Sequence, residues 1–365
     1  MLFFLLHKPR LGRVSAKTKN KQVGPMLEIR NKTPFSAMLV PSLDKHGHNY
    51  AVMIVKGTFK IHAQGASLVM ADEQQAPLQN DVFYGEAGKS SVKYESDISP
   101  VKRAVDLVLN GHAYAPGGRA ISALDASLQI GRYKKSIRVF GDRTWQKHHL
   151  RWEQTPPVKF ERMRLVYENS FGGVAPRESE ESPVEFCRYN PLGKGFAGTD
   201  GKGLKLGLAL PNLEDPTQLI QYWDDCPAPV GVGFICRNWA PRLMYAGAYD
   251  EQWKKDRMPL LPQDFDDRYY NGAQTQLMLS SEFELGETVE LIHFSEQGSL
   301  KFRLPRYRVV VTALIKGKPV THVLAMDTIV IEPDDMRVFI TWRHAIPCKN
   351  QFLYIDNVTV DWESV

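Results

Sequence analysis

At 365 residues with 43% hydrophobic content, the chain is long enough to bury a substantial core, as two domains or as one large domain. Its formal net charge of +5 is concentrated at the start: Lys8, Arg10, Arg13, Lys17, Lys19 and Lys21 contribute +6 before residue 26, which leaves residues 26–365 at −1 and removes the main support for nucleic-acid binding. No stretch reaches the roughly 18 apolar residues of a membrane helix. The four cysteines, Cys187, Cys226, Cys236 and Cys348, include no Cys-x-x-Cys pair, which argues against a disulfide framework or a zinc site and fits a reducing cytoplasm.

Residues 1–25 read as a disordered basic extension. Leu2-Phe-Phe-Leu-Leu6 precedes its charges, the reverse of a signal peptide, and Met26 stands directly before the strand-like Leu27-Glu-Ile-Arg30, as a natural start would. From there the dominant period is two. Residues 26–160 form a β-rich region, with strands expected over Asn49–Ile61, Arg103–Asn110 and, on either side of Gly131, Ser127–Phe140.

Residues 161–273 form a loop-rich middle, dense in glycine, proline, aromatic and charged residues. Turn residues at this density restrict φ and ψ, while interleaved Trp, Tyr and Phe supply rigid contact area. Short helices are expected at Thr217–Trp223, Asp250–Arg257 and Gln263–Tyr270, and Arg177–Glu185 reads as an exposed acidic loop. Residues 274–365 form a C-terminal antiparallel region, with strands expected over Glu287–Phe294, Ser299–Leu304, Tyr307–Ile315, Thr321–Met326, Thr328–Ile331 and Arg337–Trp342. The fold class is therefore all-β, mostly antiparallel, as β-sandwich or barrel-like halves with a few short helices. Residues 26–365 are also readable as one continuous domain.

Motifs that carry chemistry are weak. Gly193-Lys-Gly195-Phe-Ala-Gly198 has dinucleotide-fingerprint spacing, but Asn190-Pro191 precedes it in place of a strand and a glycine loop follows in place of a helix. Gly88-Lys-Ser90 lacks the earlier glycine of a phosphate-binding loop. His46-x-His48 and His148-His149 have no third ligand at metal-like spacing apart from Asp44. Asp264, Asp266 and Asp267, with Asp250, could hold calcium or form an acid–base pair, but read more simply as a helix cap at Asp264 with Asp266 and Asp267 paired to Arg257 or Arg268. No nucleophile elbow is present.

Seven blocks in register, among them Phe171-Gly-Gly173, Asn190-Pro-Leu-Gly-Lys-Gly-Phe196, Leu210-Pro-Asn-Leu-Glu-Asp215, Pro227-Ala-Pro-Val-Gly-Val-Gly-Phe234 and Ala246-Gly-Ala-Tyr-Asp-Glu-Gln-Trp253, resemble a bacterial family catalogued as a domain of unknown function. The resemblance covers roughly Leu27 to Trp342. Members of that family are found with type VI secretion systems and are described as adaptors or chaperones for toxic effectors. The resemblance implies a non-enzymatic cytoplasmic protein that binds a cognate secreted effector and helps load it onto the spike component, with no cofactor, no metal and no catalytic residue to carry over.

The partner-binding candidates are Trp223, Arg237, Trp239, Arg242, Trp253 and Tyr269, aromatic and arginine anchors of the middle block. On this reading Trp239→Ala or Trp253→Ala weakens capture by roughly 2 kcal/mol with melting unchanged, and loss of folding would place the side chains in the core. The alternatives are a hydrolase built on the acidic cluster with a histidine from elsewhere, and a carbohydrate-binding β-sandwich.

Overall fold

The computed structural model describes residues 28–365 apart from 63–64, 178, 241, 281–282, 284–285 and 349–354. The basic extension expected over residues 1–25 lies outside the described residues. Strands hold 42% of the chain and helical turns 7%, with Glu251–Asp256 the single α-helix among the described residues. Sheets are mostly antiparallel and none closes into a barrel, so of the two expected architectures the barrel is set aside.

Three sheets carry the fold, and the two terminal regions share them. In the largest the strand order is Met278–Leu279, Val105–Leu109, Ala325–Glu332, Arg337–Pro347, Asn49–Lys60 and Ser36–Leu43, with Val69–Met70 pairing beside Asn49–Lys60. Its one parallel contact joins Val105–Leu109 to Ala325–Glu332. A second, antiparallel sheet runs Leu213–Glu214, Tyr133–Phe140, Ala123–Ile130, Thr288–Ile292 and Ser299–Arg303. The third runs Glu28–Asn31, Ile355–Ser364, Tyr307–Ile315 and Lys318–Val323.

The residue pattern explains these elements. Along Ala123–Ile130, Leu124, Ala126, Leu128 and Ile130 point inward while Asp125, Ser127 and Gln129 alternate away from them. Lys316 and Gly317 both have positive φ, at 51° and 72°, and form the two-residue turn between Tyr307–Ile315 and Lys318–Val323. A single hydrophobic cluster draws Met53, Val55 and Phe59 from the first sheet, Leu128, Ile130 and Val139 from the second, and Val309, Val311 and Val360 from the third. The core therefore lies among the sheets rather than within either terminal half.

The large sheet is buried on both faces, and its second face is charged. Alternating with the apolar side of Asn49–Lys60 and Arg337–Pro347 are Lys56, Thr58, Thr341 and Arg343, all buried. Lys56 Nζ lies 2.8 Å from Asp97, Arg343 pairs with Asp327, and Lys102 Nζ donates to Asp106 at 2.7 Å and to Thr328 Oγ1 at 2.9 Å. Burial raises the Asp327 carboxyl, and Arg343 and Lys102 only partly oppose it. For Asp106 burial also acts upward, but Lys102, the Gly272 N–H and Asn271 outweigh it and hold the group low.

Two of the expected helices do not form as read. Over Thr217–Trp223 the Asp215 side chain takes Thr217 N–H at 2.9 Å, and Asp225 takes Gln221 and Tyr222 N–H, each at 2.8 Å. Aspartates that bind nearby backbone compete directly with helical hydrogen bonds, and this stretch becomes turns. Over Gln263–Tyr270 only the 3₁₀ turn Asp267–Tyr270 forms, started by Asp266, whose side chain accepts from Arg268 N–H.

The edge strand Lys318–Val323 meets the large sheet through a histidine pair: His322 stacks on His344 with ring centroids 4.3 Å apart and planes 22° from parallel. Burial, reinforced by His322, lowers the His344 pKa from 6.5. Below pH 6.5 the unfolded chain therefore takes up a proton that the folded chain resists. Stability is full above that pH and is lost as pH falls through it toward the depressed folded value. His344→Gln should flatten this part of a melting-temperature profile taken from pH 7.5 to 5; an unchanged acid slope would show that the pair does not titrate as described.

Candidate functional site

The loop-rich middle is held by buried side-chain amides in place of regular ladders. Asn190, wholly buried, donates to Tyr167 O at 2.8 Å and Phe171 O at 3.0 Å. Asn212, equally buried, donates to Phe140 O and Asp142 Oδ1 and accepts from Lys194 Nζ at 2.6 Å. Asn271 donates to Ala104 O and Asp106 Oδ1. Each satisfies backbone or charged groups of another segment, as buried polar groups require. A Cβ on Gly193 would stand 2.5 Å from Ser170 O, so glycine is required where this loop crosses the preceding one.

The six sequence candidates fall into different environments. Arg242 is interior: it pairs with buried Glu95, and donates to Ile235 O and, from Nη2 at 2.8 Å, to Tyr269 O. Half-buried Arg237 reaches the same Glu95 at 3.5 Å and Asp81 at 3.6 Å. Burial acts to lower the Arg237 pKa, but Glu95 and Asp81 raise it further and keep it charged. Tyr269 is half-buried beside Phe265, with ring centroids 5.6 Å apart. The structure thus gathers Arg237, Arg242 and Tyr269 around Glu95.

Trp239 is interior too, 5% exposed and edge-on to Tyr167 at 5.5 Å. Half-buried Trp253 meets Tyr249 at 4.7 Å and donates from Nε1 to Leu260 O at 2.8 Å. Trp223 is the one candidate presented outward, 38% exposed. It packs over Gly201, where an added Cβ would meet its ring at 2.3 Å.

Five aromatic side chains are exposed among the described residues, and all lie on the middle block: Phe186, Tyr189, Tyr222, Trp223 and Tyr249. Of these the sequence reading singled out only Trp223. Tyr189 stands at a cavity of about 420 Å³ whose wall includes Asp215, Thr217, Val230, Ile235 and Gln276, with buried Lys135 behind them. Thr217 and Gln218 lead from that wall into the loop bearing Tyr222 and Trp223. The missed signal for Lys135 is its phase: it shares an inward period with Ile137 and Val139.

The motifs weighed for chemistry have structural partners. Asp44 accepts from His46 N–H, His48 N–H and His48 Nδ1 at 2.8, 2.8 and 2.9 Å. Asp264 does not cap a helix; both its oxygens take Ala248 N–H, while Asp250 caps Glu251–Asp256 through Trp253 N–H. Asp266 pairs with Arg268, and Asp267 with Arg103 rather than Arg257. No group of three or more His, Cys, Asp or Glu that could hold a metal occurs among the described residues. Lys194–Gly195, inside the glycine motif, pairs in parallel with Phe171–Gly172.

Placement in the interior changes the expected readout for two candidates. Trp239→Ala should lower stability by roughly 3–5 kcal/mol, the range for truncating a buried aromatic. Arg242→Ala should cost about 3–5 kcal/mol by stranding Glu95, and Arg242→Met combined with Glu95→Gln should recover part of it. Urea unfolding of the four proteins tests both statements, and a double variant no better than Arg242→Ala would refute the second.

No curated protein and no solved structure matches the chain. Residues 46–343 match a family described as an uncharacterized protein conserved in bacteria. That match covers the whole middle block and most of both terminal β regions, and the chain belongs to this bacterial family, DUF2169.

Proposed function

We propose that the protein is a non-enzymatic adaptor that binds a cognate type VI secretion effector in the cytoplasm and helps load it onto the secretion spike. The observation that carries this reading is the concentration of every exposed aromatic among the described residues on one loop-built block. Loops braced by buried asparagines and ion pairs hold such side chains ready before a partner arrives, which lowers the ordering cost of association. Rigid aromatic rings are the residue type that dominates protein–protein binding energy. The resemblance of the middle blocks to secretion-associated adaptors supplies the partner class. The surface serves recognition, with Tyr222 and Trp223 as its leading anchors and the Glu95–Arg242 cluster as its support.

Affinity capture of the full chain from its native host, under conditions where the secretion system is expressed, should recover a toxin-like protein together with a spike component. Tyr222→Ala and Trp223→Ala should each weaken that capture by roughly 2 kcal/mol, because truncating an exposed anchor removes contact area while leaving the core untouched. Melting temperatures should remain within a few degrees of the parent. Partnerless protein in that host, or unimpaired capture by the double variant, would refute the adaptor reading or this choice of surface respectively.

A further inference from the structure

Lys135 is a cation set into an otherwise apolar inward row. It lies on Tyr133–Phe140 in phase with Ile137 and Val139, opposite Leu128, and its side chain is 4% exposed. Its ammonium donates to Gln276 Oε1 at 2.5 Å and reaches Asp215 Oδ2 only at 3.4 Å. Asp215 is engaged elsewhere, since its Oδ1 accepts from both Thr217 N–H and Thr217 Oγ1. Two acceptors, one of them at 3.4 Å, thus serve the three N–H groups of Lys135, and Lys135 lines the 420 Å³ cavity. Burial lowers its pKa against the weaker opposing pull of Asp215, the mark of a charge not fully compensated.

The rest of the cavity fits the same ligand. Val230, Ile235 and Tyr167 give it apolar lining, and Asp215 and exposed Gln276, the two partners of Lys135, line it as well. A cationic donor set among apolar lining residues selects an acceptor on an apolar stem. An anionic acceptor also supplies the charge that Asp215 provides only at a distance.

We propose that this cavity binds a carboxylate carried on a short apolar stem, with the Lys135 ammonium as its counter-charge. Such a group occurs at the end of a polypeptide and in short free organic acids. The site includes exposed Tyr189 but does not rest on the adaptor reading, because purified chain and small probes suffice to test it.

Calorimetric titration of the full chain should use N-acetyl-Gly-Leu as the free acid, the same dipeptide as its amide, and 4-methylpentanoate. The acid should bind at least about tenfold more tightly than the amide, the scale of one charge-assisted hydrogen bond. Lys135→Met should remove that preference. Should Lys135→Met fail to fold, Gln276→Glu, which puts a carboxylate where Oε1 now accepts from Lys135, should fold and lose the acid. Binding of the dipeptide acid alone assigns a polypeptide end, and equal binding of 4-methylpentanoate assigns a free organic acid. Acid and amide binding alike, neither binding, or an undiminished preference in Gln276→Glu would each overturn the proposal.

Discussion

The constraint on which this structure turns is the burial of backbone that belongs to neither helix nor sheet. Most of the described residues between the two strand-rich regions run as loops, yet many of them pack against sheets and lose contact with water. Their N–H and C=O groups must find partners or each cost a desolvation penalty of roughly 1–3 kcal/mol. Asn190, Asn212 and Asn271 meet that demand by bridging segments distant in sequence. Asp106 adds Gly272 N–H and Ala273 N–H to the same account.

The charged second face of the large sheet extends this logic to whole segments. Asp97 joins Lys56, Thr341 and the Leu78 N–H, while its carbonyl accepts from Arg343, so one short stretch is tied to two central strands. Glu95, two residues earlier, receives Arg242 from the middle block. Neighbouring residues of one loop thus fasten the sheet on one side and the middle block on the other. A buried ion pair adds little net stability over an apolar pair of like volume, but it penalises any arrangement that separates its members. In a domain with so few regular elements outside its sheets, that penalty selects one packing of the loops.

The sheets were legible in the sequence because alternation of apolar and polar residues is a local signal. Tyr307–Ile315 is bounded as the pattern indicates, and Asn49–Lys60 and Tyr133–Phe140 nearly so. Sheet order was not legible, because pairing of Val105–Leu109 with Ala325–Glu332 depends on contacts more than two hundred residues apart. The helix expected at Thr217–Trp223 failed because Asp215 and Asp225 act on backbone geometry that composition does not reveal. At the candidate site, type was read better than placement. Aromatic and arginine residues do cluster in the middle block, but Trp239 and Arg242 face inward, while Tyr189 and Tyr222 face out. Burial of a tryptophan between turns is decided by the neighbouring loop, here the one that brings Tyr167 edge-on to Trp239.

The closeness of the carboxylate partner, and the presence of a cavity alongside, separate Lys135 from the other buried cations. Arg242 is surrounded: Glu95, Ile235 O and Tyr269 O take four of its five N–H donors. Lys102 holds its carboxylate close, at 2.7 Å from Asp106, and also donates to Thr328. Lys135 is as deeply placed, yet its carboxylate partner is distant and committed to Thr217. An apolar residue at that position would pack against Leu128 and Ile137 without desolvating a charge. Retaining lysine there costs desolvation that a 3.4 Å ion pair offsets only in part, and the residue lines a cavity that exposed Tyr189 also lines.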